Sequence, residues 1–270
     1  MPVFHHDGIR FYYEREGRGP TVVFCHGLTG DSQAIRRLLG DFDGYDLVLW
    51  DCRGHGRTEP VGRPDAFSFH NFAADLHALL EHLQIEQAVV GGVSMGAGIS
   101  TRFALNWPEL VRALVLVRPA WLDQPSPEPL RVLEEIGKLL EEFGPDERQR
   151  KLTALPLFQE VQTVDPQAAA GMLLQLNDPQ AVERRVRLCR MPRDCPISGW
   201  HEVERLMVPA LVIGCEPDYV HPLSYAMEWR RRLPQAELVE VPAKGSNEAA
   251  HNEAVRRATK LFIRQSMHIE

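Results

Sequence analysis

Apolar residues along the chain fall into short unbroken runs that alternate with helix-spaced patterns. Thr21-Val22-Val23-Phe24-Cys25 is continuous, as expected of a strand buried on both faces of a parallel sheet. Tyr45 to Trp50, Gln87 to Gly91, Val111 to Val117, Pro209 to Gly214 and Glu237 to Val241 read as further strands. Between them lie amphipathic helices. Ile35, Leu38 and Leu39 share one face behind an Asp31 or Ser32 N-cap. Phe72, Leu76, Leu79, Leu80 and Leu83 keep helical spacing in a helix opened by Ser68 or His70-Asn71. Ala97 to Trp107 and Leu223 to Leu233 are also helical. Glu248 to about Ser266 should turn Ala250, Ala254, Val255, Ala258, Leu261 and Phe262 inward. Near the N-terminus, Val3-Phe4 and Ile9 to Tyr13 flank Asp7-Gly8, a hairpin signal. Strands alternating with helices imply right-handed βαβ units and an α/β fold with a mostly parallel sheet.

The alternation stops after Val117. Arg118 to about Trp200 holds no convincing strand. Pro119, Pro125, Pro127 and Pro129 mark an extended linker, and Leu130 to Phe143 is helical. One or two short helices follow within Ala154 to Leu176, and another spans Val182 to Leu188. This stretch reads as a helical insertion above the strand ends. Arg184, Arg185, Arg187, Arg190 and Arg193 crowd its last part. A solvated charged face is the ordinary reading of such a run, and attraction of an anionic substrate is the alternative.

Composition narrows the function classes. The 270 residues are 44% hydrophobic and 25% charged, ordinary for one large globular unit. A net charge of −7 argues against a nucleic-acid partner, which needs a basic face. The start carries no basic and apolar secretory pattern, and no apolar run approaches membrane-helix length. Five irregularly spaced cysteines suit reduced thiols in a cytoplasmic protein. Cys189 and Cys195 lack zinc-ligand spacing, so no metal is expected.

The chemistry centres on Gly92-Val93-Ser94-Met95-Gly96, set between a strand and a helix. A strand that turns straight into a helix bends sharply, and side chains flanking the apex would collide there. Gly92 and Gly96 have none, which lifts the Ser94 hydroxyl clear in strained backbone. The helix beginning there offers unpaired N–H groups and a positive dipole end to a developing oxyanion.

With His26-Gly27, Asp51-Cys52-Arg53-Gly54-His55-Gly56, the Ser94 turn, and then an acid and a histidine in chain order, the sequence resembles the α/β-hydrolase fold family. The likeness covers nearly the whole core. It implies a mostly parallel sheet of about eight strands flanked by helices. Residues 1–118 and 201–270 would form the core, and 119–200 a helical cap.

The resemblance makes Ser94 the nucleophile, Asp218 the acid and His251 the base. Asp218 follows the Leu211-Val212-Ile213-Gly214 strand, and Glu216 is the less favoured neighbour. His251 stands after a loop longer than the family's usual Gly-His, with Asn247 able to cap its helix. His201 precedes the acid, His221 follows it almost at once, and His268 is near the terminus. Backbone N–H groups of Met95 and Leu28 would form the oxyanion hole. His26 would hold that loop, and Gly27 would let the backbone approach. The Asp51 to Gly56 motif reads as structural, with Arg53 placed to satisfy carbonyls.

The expected activity is hydrolysis of a carboxylic ester or related acyl bond of a small molecule, with no cofactor. A lactone, thioester, amide or C–C bond, or perhydrolysis, would use the same triad. A ligand receptor on the same fold is the reading of another class. Trp121, Leu155, Leu157, Phe158, Met172, Leu173 and Leu174 either line the substrate pocket or form the insertion's own core.

Overall fold

The computed structural model describes residues 2–267. The first half of the chain runs β1 (Val3–His6), β2 (Ile9–Gly17), β3 (Thr21–Cys25), α1 (Ser32–Leu39), β4 (Asp46–Trp50), α2 (Phe69–His82), β5 (Ala88–Val93), α3 (Met95–Asn106) and β6 (Val111–Val117). Then come α4 (Arg131–Glu142), α5 (Pro145–Ala154), α6 (Pro156–Val164), α7 (Pro166–Asn177), α8 (Ala181–Arg184), α9 (Val186–Arg190) and α10 (Trp200–Val203). The chain closes with β7 (Ala210–Gly214), α11 (Leu223–Arg232), β8 (Ala236–Glu240) and α12 (Glu248–Ser266). Among the described residues the strands form one eight-stranded sheet in the order β1-β2-β4-β3-β5-β6-β7-β8. The pairings β1–β2 and β2–β4 are antiparallel, and all later ones are parallel.

The central strands are apolar on both faces because both are covered. Val22 and Phe24 of β3 join a core with α1 and α12, whereas Val23 and Cys25 join one with α2 and α3. Strand geometry sends alternate residues to opposite sides, so each core receives every second residue. Two helix starts follow local chemistry: Asp31 accepts from the Ala34 N–H, and Ser68 from the Asn71 N–H. Between β6 and β7 the described chain is helical or irregular throughout. No helix of the described residues is long and apolar enough to cross a membrane.

The structure differs from the sequence pattern in three places. The Val182 to Leu188 helix is two short helices, α8 and α9. A helix over Pro145–Ala154 was not expected, because its polar sequence buries only Leu152. Leu261 is 54% exposed, because α12 packs through His251, Val255, Thr259, Phe262 and Ile263, a stripe that leaves position 261 outward.

Arg53 also departs from expectation. It pairs with carboxylates: Nε and Nη2 donate to Asp75 at 2.7 Å each, and Nη1 donates to Asp7 at 3.2 Å. Asp75 and Arg53 are both buried. The fork-to-fork pair clamps the Asp51–Gly56 loop to α2. Breaking one side leaves a buried charge without its partner. Asp75→Ala is therefore expected to lower stability by about 3–5 kcal/mol, read from urea denaturation midpoints. A loss under about 1 kcal/mol would show that solvent reaches the guanidinium.

Candidate active site

Ser94 is the whole connection between β5 and α3. Its backbone sits at φ 58° and ψ −113°, a left-handed region that costs a non-glycine residue about 1–3 kcal/mol. Its N–H donates to the Val117 carbonyl at 3.0 Å, tying the turn to β6. A Cβ on Gly92 would overlap the backbone of Gly96, and one on Gly96 would overlap the carbonyls of Cys25 and His26. A Cβ on Gly27 would stand 3.5 Å from the Ser94 Cβ. The ends of β3 and β5 and the start of α3 thus meet at contact distance around one hydroxyl. Gly98 makes room for the Phe69 ring of α2.

The Met95 and Leu28 N–H groups have no hydrogen-bond partner within the protein among the described residues. Two buried histidines hold the Leu28 loop. His26 Nε2 accepts from the Cys52 N–H at 3.0 Å, so its proton sits on Nδ1, which lies 2.8 Å from the Gly27 carbonyl. His55 Nε2 lies 2.8 Å from the Leu28 carbonyl and Nδ1 2.8 Å from that of Arg53. Burial pushes the His26 pKa down, and burial with the charge of Arg187 pushes that of His55 well down. Both are therefore neutral, and the single N–H of His55 donates to one of its two carbonyl contacts. His55 was not assigned this role from sequence, although it lies inside the Asp51–Gly56 motif. Asp51 completes the brace by accepting from the Ser32 N–H at 2.7 Å and the Arg57 N–H at 2.8 Å.

Asp218 and His251 line the same cavity as Ser94. They do not share a hydrogen bond. Asp218 accepts from the backbone N–H of His221 at 3.0 Å and lies 2.9 Å from His221 Nδ1. Arg118 Nη1 donates to it at 3.0 Å. Burial would raise the Asp218 pKa, but His221 and then Arg118 outweigh it and hold the group below the ordinary carboxylate value. The expectation that Asp218 orients the His251 ring gives way to a different arrangement. The oxygens of Asp218 are taken by its own loop and by Arg118, and His251 reaches back to its own preceding loop. His251 Nδ1 lies 2.8 Å from the Pro242 carbonyl, while Nε2 is buried with no partner among the described residues. Burial, then the charge of Arg118, lowers the His251 pKa. Asn247 caps α12, as its position suggested.

Sequence reasoning passed over Arg118 and discounted His221. Arg118 directly follows β6, and its partner is a hundred positions further along the chain, so no local signal marked it. The Asp218-x-x-His221 spacing was visible, but the contact between the carboxylate and the ring was not. His268 lies outside the described residues.

The cavity encloses about 650 Å³. Met172 and Leu174 reach it from α7. Trp121 and Phe158 are packed in the core, and Leu155, Leu157 and Leu173 lie partly buried against it. Burial pushes the Cys25 thiol up to about 12, and Cys52 well above its ordinary value, so neither is a thiolate at neutral pH. No group of three or more His, Cys, Asp or Glu side chains suited to a metal ion occurs among the described residues.

The model of the alpha/beta hydrolase fold family matches residues 20–155. The AB hydrolase superfamily protein YisY of Bacillus subtilis (strain 168) is 25% identical over 269 residues, 96% of each chain. A thermophilic esterase from Thermogutta terrifontis superposes with a TM-score of 0.73 at 21% identity, covering 98% of this chain and 97% of that one. The enol-lactonase from Burkholderia xenovorans LB400 gives a TM-score of 0.73 at 19% identity, covering 99% and 100%. The chain belongs to the α/β-hydrolase fold family. The turn itself can be tested by stability. Gly92→Ala must push apart β5 and α3, with an expected loss of about 1–3 kcal/mol or more. Gly144→Ala, where a Cβ meets nothing within 4 Å, should stay within about 1 kcal/mol of wild type. Equal midpoints for the two variants would refute the claim that the turn is closed to side chains.

Proposed function

We propose that this member of the α/β-hydrolase fold family is a serine hydrolase that cleaves a carboxylic ester or related acyl bond of a small molecule. The observation that carries the reading is Ser94 in left-handed backbone at a strand-to-helix turn, beside two N–H groups with no partner among the described residues. A hydroxyl so placed suits attack on a carbonyl.

Ser94 Oγ attacks the carbonyl carbon, and its proton passes to Nε2 of His251. The contact of Nδ1 with the Pro242 carbonyl supports this role, since a proton on Nδ1 leaves Nε2 as the acceptor. The carbonyl electron pair moves onto oxygen, where the Leu28 and Met95 N–H groups stabilise it. Collapse breaks the bond to the leaving group, which takes the proton from His251. Water repeats the sequence on the acyl-enzyme and releases the carboxylic acid. Asp218 acts here as a fixed negative charge beside the imidazolium. The helices over residues 119–200 form the cap over the cavity.

A second assignment of the base has its own observation. His221 lines the cavity with Nδ1 on Asp218, the pairing that orients a base in other serine hydrolases. Labelling with a fluorophosphonate and hydrolysis of a short-chain nitrophenyl ester separate the two. Ser94→Ala should abolish labelling, and labelling that persists sinks the nucleophile. His251→Ala should cost about 10²–10⁴-fold in kcat/KM, with His221→Ala costing far less. The reverse order moves the base to His221. Asp218→Asn should cost under about a hundredfold, because it removes charge and no hydrogen bond to the base.

The pH profile provides another check. A base with a lowered pKa stays neutral to lower pH, so the acid limb of kcat/KM should lie below the ordinary histidine value of 6.5. Arg118→Gln removes a positive charge that disfavours the imidazolium, and the limb should move to higher pH. An unmoved limb would mean that another group titrates.

A further inference from the structure

The arginine run in the last part of the helical segment divides in the folded chain. Arg185 pairs with Glu141 at 3.4 Å, Arg193 pairs with Glu134 at 3.0 Å, and Arg190 is exposed. Arg184 and Arg187 instead line the cavity that holds Ser94. Neither has a carboxylate within ion-pair distance among the described residues. Arg187 is only 4% exposed. Its Nη1 donates to the Gly54 carbonyl at 3.3 Å and its Nη2 to Gln175 Oε1 at 3.2 Å, while Nε is buried without a partner. Arg184 Nη2 donates to the Gly56 carbonyl at 2.6 Å.

A buried guanidinium ordinarily sits against a carboxylate, because taking its charge out of water is costly. Arg37, also on the cavity lining, is exposed and makes no ion pair among the described residues, whereas the other charges around the cavity have partners. Arg118 is on Asp218, and Lys244 is on Glu248. Asp31, Asp165 and Asp178 each accept a backbone N–H, from Ala34, Ala168 and Gln180. Asp31 and Asp178 lie near enough to Arg187 to favour its charge, and Arg184 opposes it. Burial comes first among the causes and lowers the Arg187 pKa to about 10, which leaves it cationic at neutral pH. A guanidinium kept charged, dry and short of one partner is a receptor for an anion. With two acids already nearby, one added negative charge suits the cavity better than a dianionic phosphate.

We infer that Arg187, with Arg184 beside it, binds a carboxylate on the substrate, so that the acyl compound cleaved carries a second, ionised acid group away from the scissile bond. This rests on the hydrolase reading above and names its substrate class. A purely structural role, strapping the helices to the Gly54 and Gly56 carbonyls, makes a different prediction.

The test compares 4-nitrophenyl hemisuccinate, an anion, with neutral 4-nitrophenyl butyrate. Wild type should prefer the anion. Arg187→Gln should lower that preference, as the ratio of the two kcat/KM values, by about tenfold or more, mainly through KM of the anion. Arg187→Lys should restore part of it, and Arg184→Gln, at a half-buried position, serves if Arg187→Gln fails to fold. A fall shared equally by both esters, with the ratio unchanged, would overturn the inference and leave the strap. Calorimetry on Ser94→Ala, which needs no turnover, should show hemisuccinate binding that Ser94→Ala/Arg187→Gln loses. Binding unaffected by the second substitution also overturns it. Arginine-dependent binding without hydrolysis of either ester by wild type would keep the anion site and refute the hydrolase reading.

Discussion

The architecture turns on a lack of room. The backbones at the ends of β3 and β5 and at the start of α3 approach so closely that Gly92 and Gly96 can carry no side chain. That closeness forces the chain to reverse within one residue, and Ser94 takes the strain. The same geometry leaves the first amide of α3 without an acceptor, since a helix cannot satisfy its own leading N–H groups. Strain, a hydroxyl on the cavity lining and a free amide are consequences of one steric condition. The condition in turn needs the sheet, whose buried apolar strands hold the three backbones in place.

The end of β6 links the turn to the charged groups. Val117 accepts the Ser94 N–H, and the next residue, Arg118, donates to Asp218. Asp218 therefore sits against one cation, with the His221 ring on its other side. Its charge is secured, but its oxygens are occupied. The tautomer of His251 is set by a backbone carbonyl, which can fix which nitrogen bears the proton but brings no full negative charge to the imidazolium. Arg118 lies close enough to oppose that imidazolium further. The electrostatic balance at the base is thus poised by neighbours on three separate loops.

Buried polar groups brace the opposite wall. His26 and His55 contact the carbonyls of Gly27 and Leu28, and Asp51 gathers the N–H groups of Ser32 and Arg57. Arg53 and Asp75 lock the same loop to α2. Each loses hydration on burial and recovers it through specific partners, which makes the loop conformation narrow. Arg184 and Arg187 reach the Gly56 and Gly54 carbonyls of this loop from the helical segment. The loop is therefore held from the sheet, from α2 and from the segment above.

Local pattern determined much of this protein. Continuous apolar runs marked the strands from Thr21–Cys25 to Val111–Val117, because both sheet faces are covered. Side-chain oxygens announced the caps at Asp31, Ser68 and Asn247. Glycine spacing around Ser94 announced the turn, since only the smallest residue fits it. Partner choice was decided by tertiary structure. Arg118 meets Asp218 across a hundred positions, Arg53 meets Asp75 in place of carbonyls, and His251 meets Pro242 in place of Asp218. The run from Arg184 to Arg193 reads uniformly as charge, yet burial separates Arg187 from its neighbours. A charge finds its partner through space and dielectric, and neither is written in the order of residues.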